Sequence, residues 1–236
     1  PFALEDEQVF SEIYQLKKDI FILPKKSYHL DLLEMAKKNA YYLLQDYQRL
    51  EKETKTKLQY IKDKFQLKKI PTVVECIDIS NLQENSIVAS IVRFKDAKPL
   101  KNEYRTYNIK SISKKPDDYG SVFEVVDRRF RRAQEKNDLP DLILIDGGKG
   151  QLSSAFKAMK KYKDLTCDLL SIAKSHVIKT SDLREKTVSH SPERIYQLGK
   201  EQENILIKGE FEYSFFTQIR DEAHRFALKH HRIKRN

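Results

Sequence analysis

The chain has 236 residues, 39% hydrophobic and 34% charged, a soluble globular balance with a heavily solvated surface. No stretch approaches ~20 consecutive apolar residues, which excludes a membrane-spanning helix. Forty-five Lys and Arg stand against 35 Asp and Glu, leaving a net charge of +10. That excess favours a polyanionic partner, since each cation placed on a phosphate releases condensed counterions, although Lys-rich surfaces also occur without one.

The two cysteines, Cys76 and Cys167, lie in apolar runs without CxxC spacing, so they point to neither a zinc site nor a disulfide and are expected to be small buried hydrophobes. There is no secretory signal, and the chain begins at Pro1. A cytoplasmic protein, and a fragment of a longer one, is the expectation.

In chain order, Val9, Ile13 and Leu16 followed by IFILP (20–24) suggest a short helix and a strand. From Leu30 to about Lys68 the chain lacks Gly and Pro. There Leu32, Met35, Ala36, Asn39, Ala40, Leu43 and Leu44 fall at three- and four-residue spacings. This predicts an amphipathic helix running into a charged tail, so residues 1–70 read as a helical packing and linking segment.

From Pro71 the period changes. VVECIDI (73–79), SIVASIVRF (86–94) and YRTYNIK (104–110) read as strands separated by turn-like segments. A helix is expected to start near Pro116 or Asp117, with Tyr119, Val122, Phe123, Val126 and Phe130 on one face and the basic DRRFRR (127–132) in its second half. LPDLILIDGG (139–148) is a buried strand ending in glycines, GQLSSAFKAMKKY (150–162) a helix and CDLLSIAK (167–174) a further strand. Residues 175–193 are polar and read as a mobile insertion. RIYQL (194–198) and NILIK (204–208) suggest an edge hairpin. A last helix spans 211–232, with Phe215, Phe216, Ile219, Ala223 and Phe226 inward. This order predicts an α/β domain over residues 71–236, with helices flanking a mixed central sheet and the helical segment before it.

A carboxylate inside an apolar strand is expensive unless it is paired or metal-bound, which singles out Asp78 and Asp146. The bland reading of each is an acid accepting backbone hydrogen bonds at a strand end. Two carboxylates at separate strand ends are most economically explained by a shared divalent cation, Mg²⁺ or Mn²⁺. Gly147 and Gly148 allow a sharp turn and close approach of a substrate. A P-loop is set aside, because GGKGQ lacks both the spacing and the Ser/Thr. His224 lies between Ala223 and Ala227, with Arg220, Asp221 and Glu222 crowding the same turn, as fits a polar site. Asp117 and Asp118 precede a helix and read first as N-caps, with one of the two also able to approach the cation. Asn81 and Gln83 either contact DNA or form a turn. Lys149, Arg128, Arg129, Arg131 and Arg132, with Arg225, Lys229 and the basic tail that carries His230 and His231, are candidates for holding phosphates.

ECIDISNLQ, PDDYGSVFEVVDRRF, LPDLILIDGGKGQL and IRDEAHRFALKHHRIKR together resemble the nuclease domain of UvrC, the incision subunit of the bacterial UvrABC excision nuclease. The resemblance runs from about residue 24 to 232. It implies an RNase H-like fold, a cut on the 5′ side of a lesion in double-stranded DNA, and a triad falling on Asp78, Asp146 and His224, with Asp118 matching a further acidic position. It also implies work on a UvrB–DNA complex through parts outside this chain: the GIY-YIG nuclease, the UvrB-binding motif and the helix-hairpin-helix pair are absent from it. The chain departs from the family pattern in Asn81, where His is usual, in Glu84-Asn85 after Gln83, and in a more charged 175–211 stretch. The rival readings are a catalytically weak or inactive RNase H-like module that binds DNA or scaffolds the repair complex, and an RNase H-like enzyme acting on RNA–DNA hybrids.

Overall fold

The computed structural model describes residues 26–82, 86–109, 118–174, 177–178, 189–190 and 192–235. It divides into two compact units, Pro1–Lys52 and Glu53–Asn236. The expected elements before Lys26, together with Asp117 and Gln83, fall outside the described residues.

Helix α1 (Ser27–Phe65) forms without a Gly or Pro to interrupt it. Its expected packing stripe is not where the helix packs: Leu32, Met35, Leu43 and Leu44 are exposed, whereas Leu58, Ile61 and Phe65 are fully buried. The second unit therefore starts within the helix, at Glu53, and not at Pro71. The physical reason is contact: the side chains that join Val74, Cys76 and Phe216 in a core are those of the last turns of α1, together with Leu67.

The strands that follow are β1 (Val73–Leu82), β2 (Ser86–Lys95), β3 (Lys98–Pro99) and β4 (Arg105–Asn108). Helix α2 (Asp118–Lys136), β5 (Leu142–Asp146), α3 (Lys149–Met159) and β6 (Asp168–Ala173) come next. After β7 (Val177–Ile178) and β8 (Ser189–His190), β9 (Arg194–Gln197) and β10 (Asn204–Ile205) precede the last helix, α4 (Phe211–Arg235). Among the described residues eight strands form one mixed sheet in the order β10-β9-β6-β5-β1-β2-β3, with β4 paired to β2. The pairs β1–β5 and β5–β6 are parallel, and the others are antiparallel. The predicted edge hairpin is β9–β10. Inside the expected polar insertion, β7 and β8 form a two-stranded ladder of their own.

Side chains alternate across a strand, and this divides the core in two. Val74 and Cys76 of β1, Leu142 and Leu144 of β5, and Leu170 and Ile172 of β6 face one side, where Phe215, Phe216, Ile219 and Ala223 of α4 meet them. Ile77, Ile143, Ile145 and Leu169 face the other, against Val122, Val125, Val126 and Phe130 of α2 and Leu152, Ala155 and Ala158 of α3. Each cysteine is buried and unpaired, one in each layer, as its apolar setting predicted.

Where α2 crosses α3 the contact is close. A Cβ on Gly150 would lie 2.5 Å from the Tyr119 ring, and Ser154 Oγ donates to the Tyr119 carbonyl at 2.6 Å. Tyr119, predicted to face inward, remains exposed on its other side.

Candidate metal centre

Strands β1 and β5 run parallel in the register Val74↔Leu142 to Ile77↔Ile145, so Asp78 and Asp146 are the next residue along each strand. Alternation puts Asp78 on the side of Val74 and Cys76, and Asp146 on that of Leu142 and Leu144. Both therefore point to the layer that α4 covers. Helix α4 passes over this part of the sheet with Ala223 and Ala227 buried, and His224 stands between them. One ligand atom from each of Asp78, Asp146 and His224 lies within 4.8 Å of the other two. Asp78 is 6% exposed, Asp146 half-buried and His224 exposed, so the group is closed from below and open above. The donor set, two carboxylates from neighbouring strands and an imidazole from the helix above them, fits a divalent cation.

Burial, then the neighbouring Asp78 charge, pushes the Asp146 carboxyl up to about 7; Arg220 and Lys174 pull the other way. Cys76, two residues before Asp78, is pushed up as well, by burial first and then by Asp146 and Asp78. Burial and the closeness of the two carboxylates thus both favour a proton on Asp146 when no cation is bound. Ser80 Oγ donates to Asp78 Oδ2 at 2.7 Å and fixes that carboxylate. Two residues on along the same face, Ser80 is where an Asp78 partner would sit, a signal the sequence reading passed over.

The turn after Asp146 is built on its glycines. Gly147 N–H donates to the Ile172 carbonyl at 2.9 Å, and Gly148 N–H donates to Gln151 Oε1 at 3.0 Å. A Cβ on Gly147 would come within 1.5 Å of that same Gln151 oxygen, so the cap and a side chain at 147 exclude each other. Helix α3 can thus begin at Lys149, three residues past Asp146.

The other expected site residues separate into groups. Asp118 is exposed in the first turn of α2, and the three-residue group does not include it. Arg131, Arg225 and Lys229 are exposed, and Arg131 and Arg225 each have an acid on their own helix, Asp127 and Glu222. Arg128 and Arg132 are about two-thirds covered: Arg128 lies over the Tyr107 ring, and Arg132 stands 3.7 Å from Asp138. Lys149 donates to the Glu201 carbonyl at 3.0 Å.

Arg129 is not a surface cation, and its expected DNA contact is corrected here. It is 1% exposed, grips Glu75 of β1 with Nε–Oε2 2.6 Å and Nη2–Oε1 2.9 Å, and reaches Asp138 at 2.9 Å. The same Glu75 accepts from Arg93 at 2.6 Å. The helical period explains the position: Arg129 follows Val122, Val126 and Val125 at seven, three and four residues, on the face that packs against the sheet.

The model of the UvrC RNase H endonuclease domain matches residues 62–228. The chain belongs to that family. It is similar to the UvrABC system protein C of Methanococcus maripaludis, 42% identical over 92% of this chain and 37% of that protein. The corresponding proteins of Protochlamydia amoebophila and Geobacter metallireducens are each 35% identical, over 100% and 98% of this chain and 38% of theirs. The chain thus spans less than two-fifths of the length of these three relatives. Human endonuclease V is a remote structural likeness, with a TM-score of 0.40 and 12% identity over 70% of this chain and 86% of that one. The family assignment agrees with the mixed sheet and flanking helices and with the RNase H-like fold that the motifs implied.

Two residues near the UvrC-type group were not singled out from sequence. Lys174, just past β6, is one of two cations that oppose the rise at Asp146. The other, Arg220, is 7% exposed one turn before His224 and pairs with Glu193 at 2.9 Å. Its partner lies 27 residues upstream on another element, beyond any local pattern. The side chains of His230, His231 and Asn81 lie outside what is described. No helix among the described residues is long and apolar enough to cross a membrane.

Proposed function

We propose that this chain is a metal-dependent endodeoxyribonuclease that hydrolyses a DNA phosphodiester on the 5′ side of a lesion during nucleotide excision repair. The observation that carries the reading is the convergence of Asp78, Asp146 and His224 within 4.8 Å, where the parallel ladder of β1 and β5 ends. Asp78 and Asp146 hold Mg²⁺ or Mn²⁺, and His224 completes the set. When bound, such a cation supplies Lewis-acid polarisation of the phosphate and an acidified water. Ser80 keeps Asp78 oriented by its hydrogen bond. The alternative role for His224 is to move a proton near the leaving 3′ oxygen in place of ligating the cation.

The substrate is double-stranded DNA with a lesion, presented by a UvrB–DNA complex that the longer protein engages through segments outside this chain. A cytoplasmic location goes with that role. Lys149, Arg128, Arg131, Arg132, Arg225 and Lys229 contact phosphates and not bases, so they hold the duplex without reading it. Asp118, at the α2 N-terminus, is assigned a supporting role near the site.

The test uses Asp78→Ala, Asp146→Ala and His224→Ala. Incision of a lesion-bearing duplex is measured in the full-length protein, and Mn²⁺ binding is measured on this chain by calorimetry. Both aspartate variants should lose 5′ incision and cation binding while the fold survives. Near-normal incision by either one removes the metal-site assignment. A chain that binds lesion DNA but never cuts it would be the inactive scaffold.

A further inference from the structure

Helix α4 brings His224 to the site, yet the helix is held to the sheet mainly by apolar contacts, Phe215, Phe216, Ile219 and Ala223 among them. Such contacts set its distance from the sheet better than its position along its own axis, and one helical turn amounts to about 5.4 Å. Polar ties supply the missing constraint. The first turn is tied to α1 by Lys64 and Glu212. On the far side Tyr104 Oη donates to Glu222 at 2.9 Å. The turn just before His224 is held by Arg220 and Glu193, 2.9 Å apart and 8% and 11% exposed.

Glu193 is tied to the sheet through its backbone. Its carbonyl accepts from Leu206 N–H at 2.9 Å, and it immediately precedes β9, whose Arg194 pairs with Ala173 at the end of β6. The adjacent residue of β6, Ile172, pairs with Asp146. Glu193 is thus anchored to the same sheet end as the carboxylates, two strands across, about 10 Å at ordinary strand spacing.

The charge on Arg220 needs its own account, because a free cation beside a cation site would repel the ion. It is not free. Arg220 pairs with Glu193 and also with Asp221 at 2.7 Å, so two carboxylates take up its guanidinium. The fork itself, Nε and Nη2, closes on Asp221 Oδ1 at 3.0 and 2.7 Å, which leaves Nη1 to face Glu193 in an ion pair held by charge and not by an aligned hydrogen bond.

We propose that Arg220, through its ion pair with Glu193, is the positioning residue that seats His224 over the Asp78–Asp146 pair. The inference rests on the cation-site reading of those three residues. Arg220 does not touch the ion; it acts through the helical turn that carries the imidazole, four residues on.

Mn²⁺ affinity of this chain by calorimetry tests it, with Arg220→Gln, Glu193→Gln, and each of them combined with His224→Ala. Each single variant should weaken Mn²⁺ binding on the order of ten-fold, the size of an outer-shell loss. Neither should add a loss on top of His224→Ala, because the effect passes through that side chain. Glu193→Gln leaves α4 itself untouched, so it keeps the test open if Arg220→Gln fails to fold. Two results overturn the proposal: losses that add in full to that of His224→Ala, or unchanged or tighter binding in the single variants, which would make Arg220 no more than a repelling charge.

If the unmutated chain takes up no Mn²⁺, the cation-site reading fails. The tie is then judged on the His224 imidazole signals of the metal-free chain by NMR. Their displacement by the distant Glu193→Gln supports the tie, and unmoved signals overturn it.

Discussion

Replacing Asp146 by Asn should make the metal-free protein more stable, and only above the acidic range. Asp146 stands beside Asp78, and burial with that neighbouring charge raises its carboxyl from 3.8 to about 7. At 1.36 kcal/mol per unit, the ionised pair is penalised by at most about 4 kcal/mol. Solvent on the open side screens part of this, leaving roughly 2 kcal/mol. The sign follows from proton linkage. Between the ordinary aspartate range and about 7 the folded state holds a proton that the unfolded state has lost, so stability falls as pH rises through that window. Asn carries no such proton. The variant should therefore match the unmutated chain near pH 4 and exceed it at pH 8, by about 4–8 °C in Tm for a unit of this size. Scanning calorimetry of both chains in chelator at several pH values measures the gap. Adding Mn²⁺ at pH 8 should then favour the unmutated chain, which gains more from the ligand. An equal Tm difference at pH 4 and pH 8, or a variant less stable at both, would refute the argument that the two carboxylates repel each other.

Glu75→Gln should cost about 3–5 kcal/mol in denaturant unfolding, because it strips the buried Arg129 of its main partner; a loss under about 1 kcal/mol would mean that solvent reaches the guanidinium. Gly150→Ala should change stability by less than about 1 kcal/mol, because the Tyr119 ring that the methyl meets is exposed and can turn aside while Ala suits the helix; a loss above about 2 kcal/mol would mean that the ring is fixed. DNA affinity of this chain should be indifferent to sequence and fall steeply with salt; Arg131→Ala should lower the salt slope by about one, whereas a tight sequence-selective complex at high salt would contradict the phosphate-only reading.

The sequence by itself determined the succession of strands and helices, because a period of two or of 3.6 and the Gly-Pro-Asp punctuation are local properties. It also singled out Asp78 and Asp146, since a carboxylate ending an apolar run stands out wherever the strand is placed. The RDEAHRF helix marked His224, and the motif blocks marked the family. Tertiary structure alone decided that these residues meet: the parallel register of β1 and β5 puts the aspartates side by side, and α4 lies on the face to which alternation points them. It also decided the fate of charge. DRRFRR read as one basic face, yet Arg129 turns into the core because a partner 54 residues upstream, Glu75, waits there. In α1 the stripe with the clearest spacing stays exposed, and the turns that looked like a charged tail fill the core with Leu58, Ile61 and Phe65. In each case the local pattern states which residues share a face. What covers that face depends on contacts between segments distant in the chain, and these exist only once it has folded.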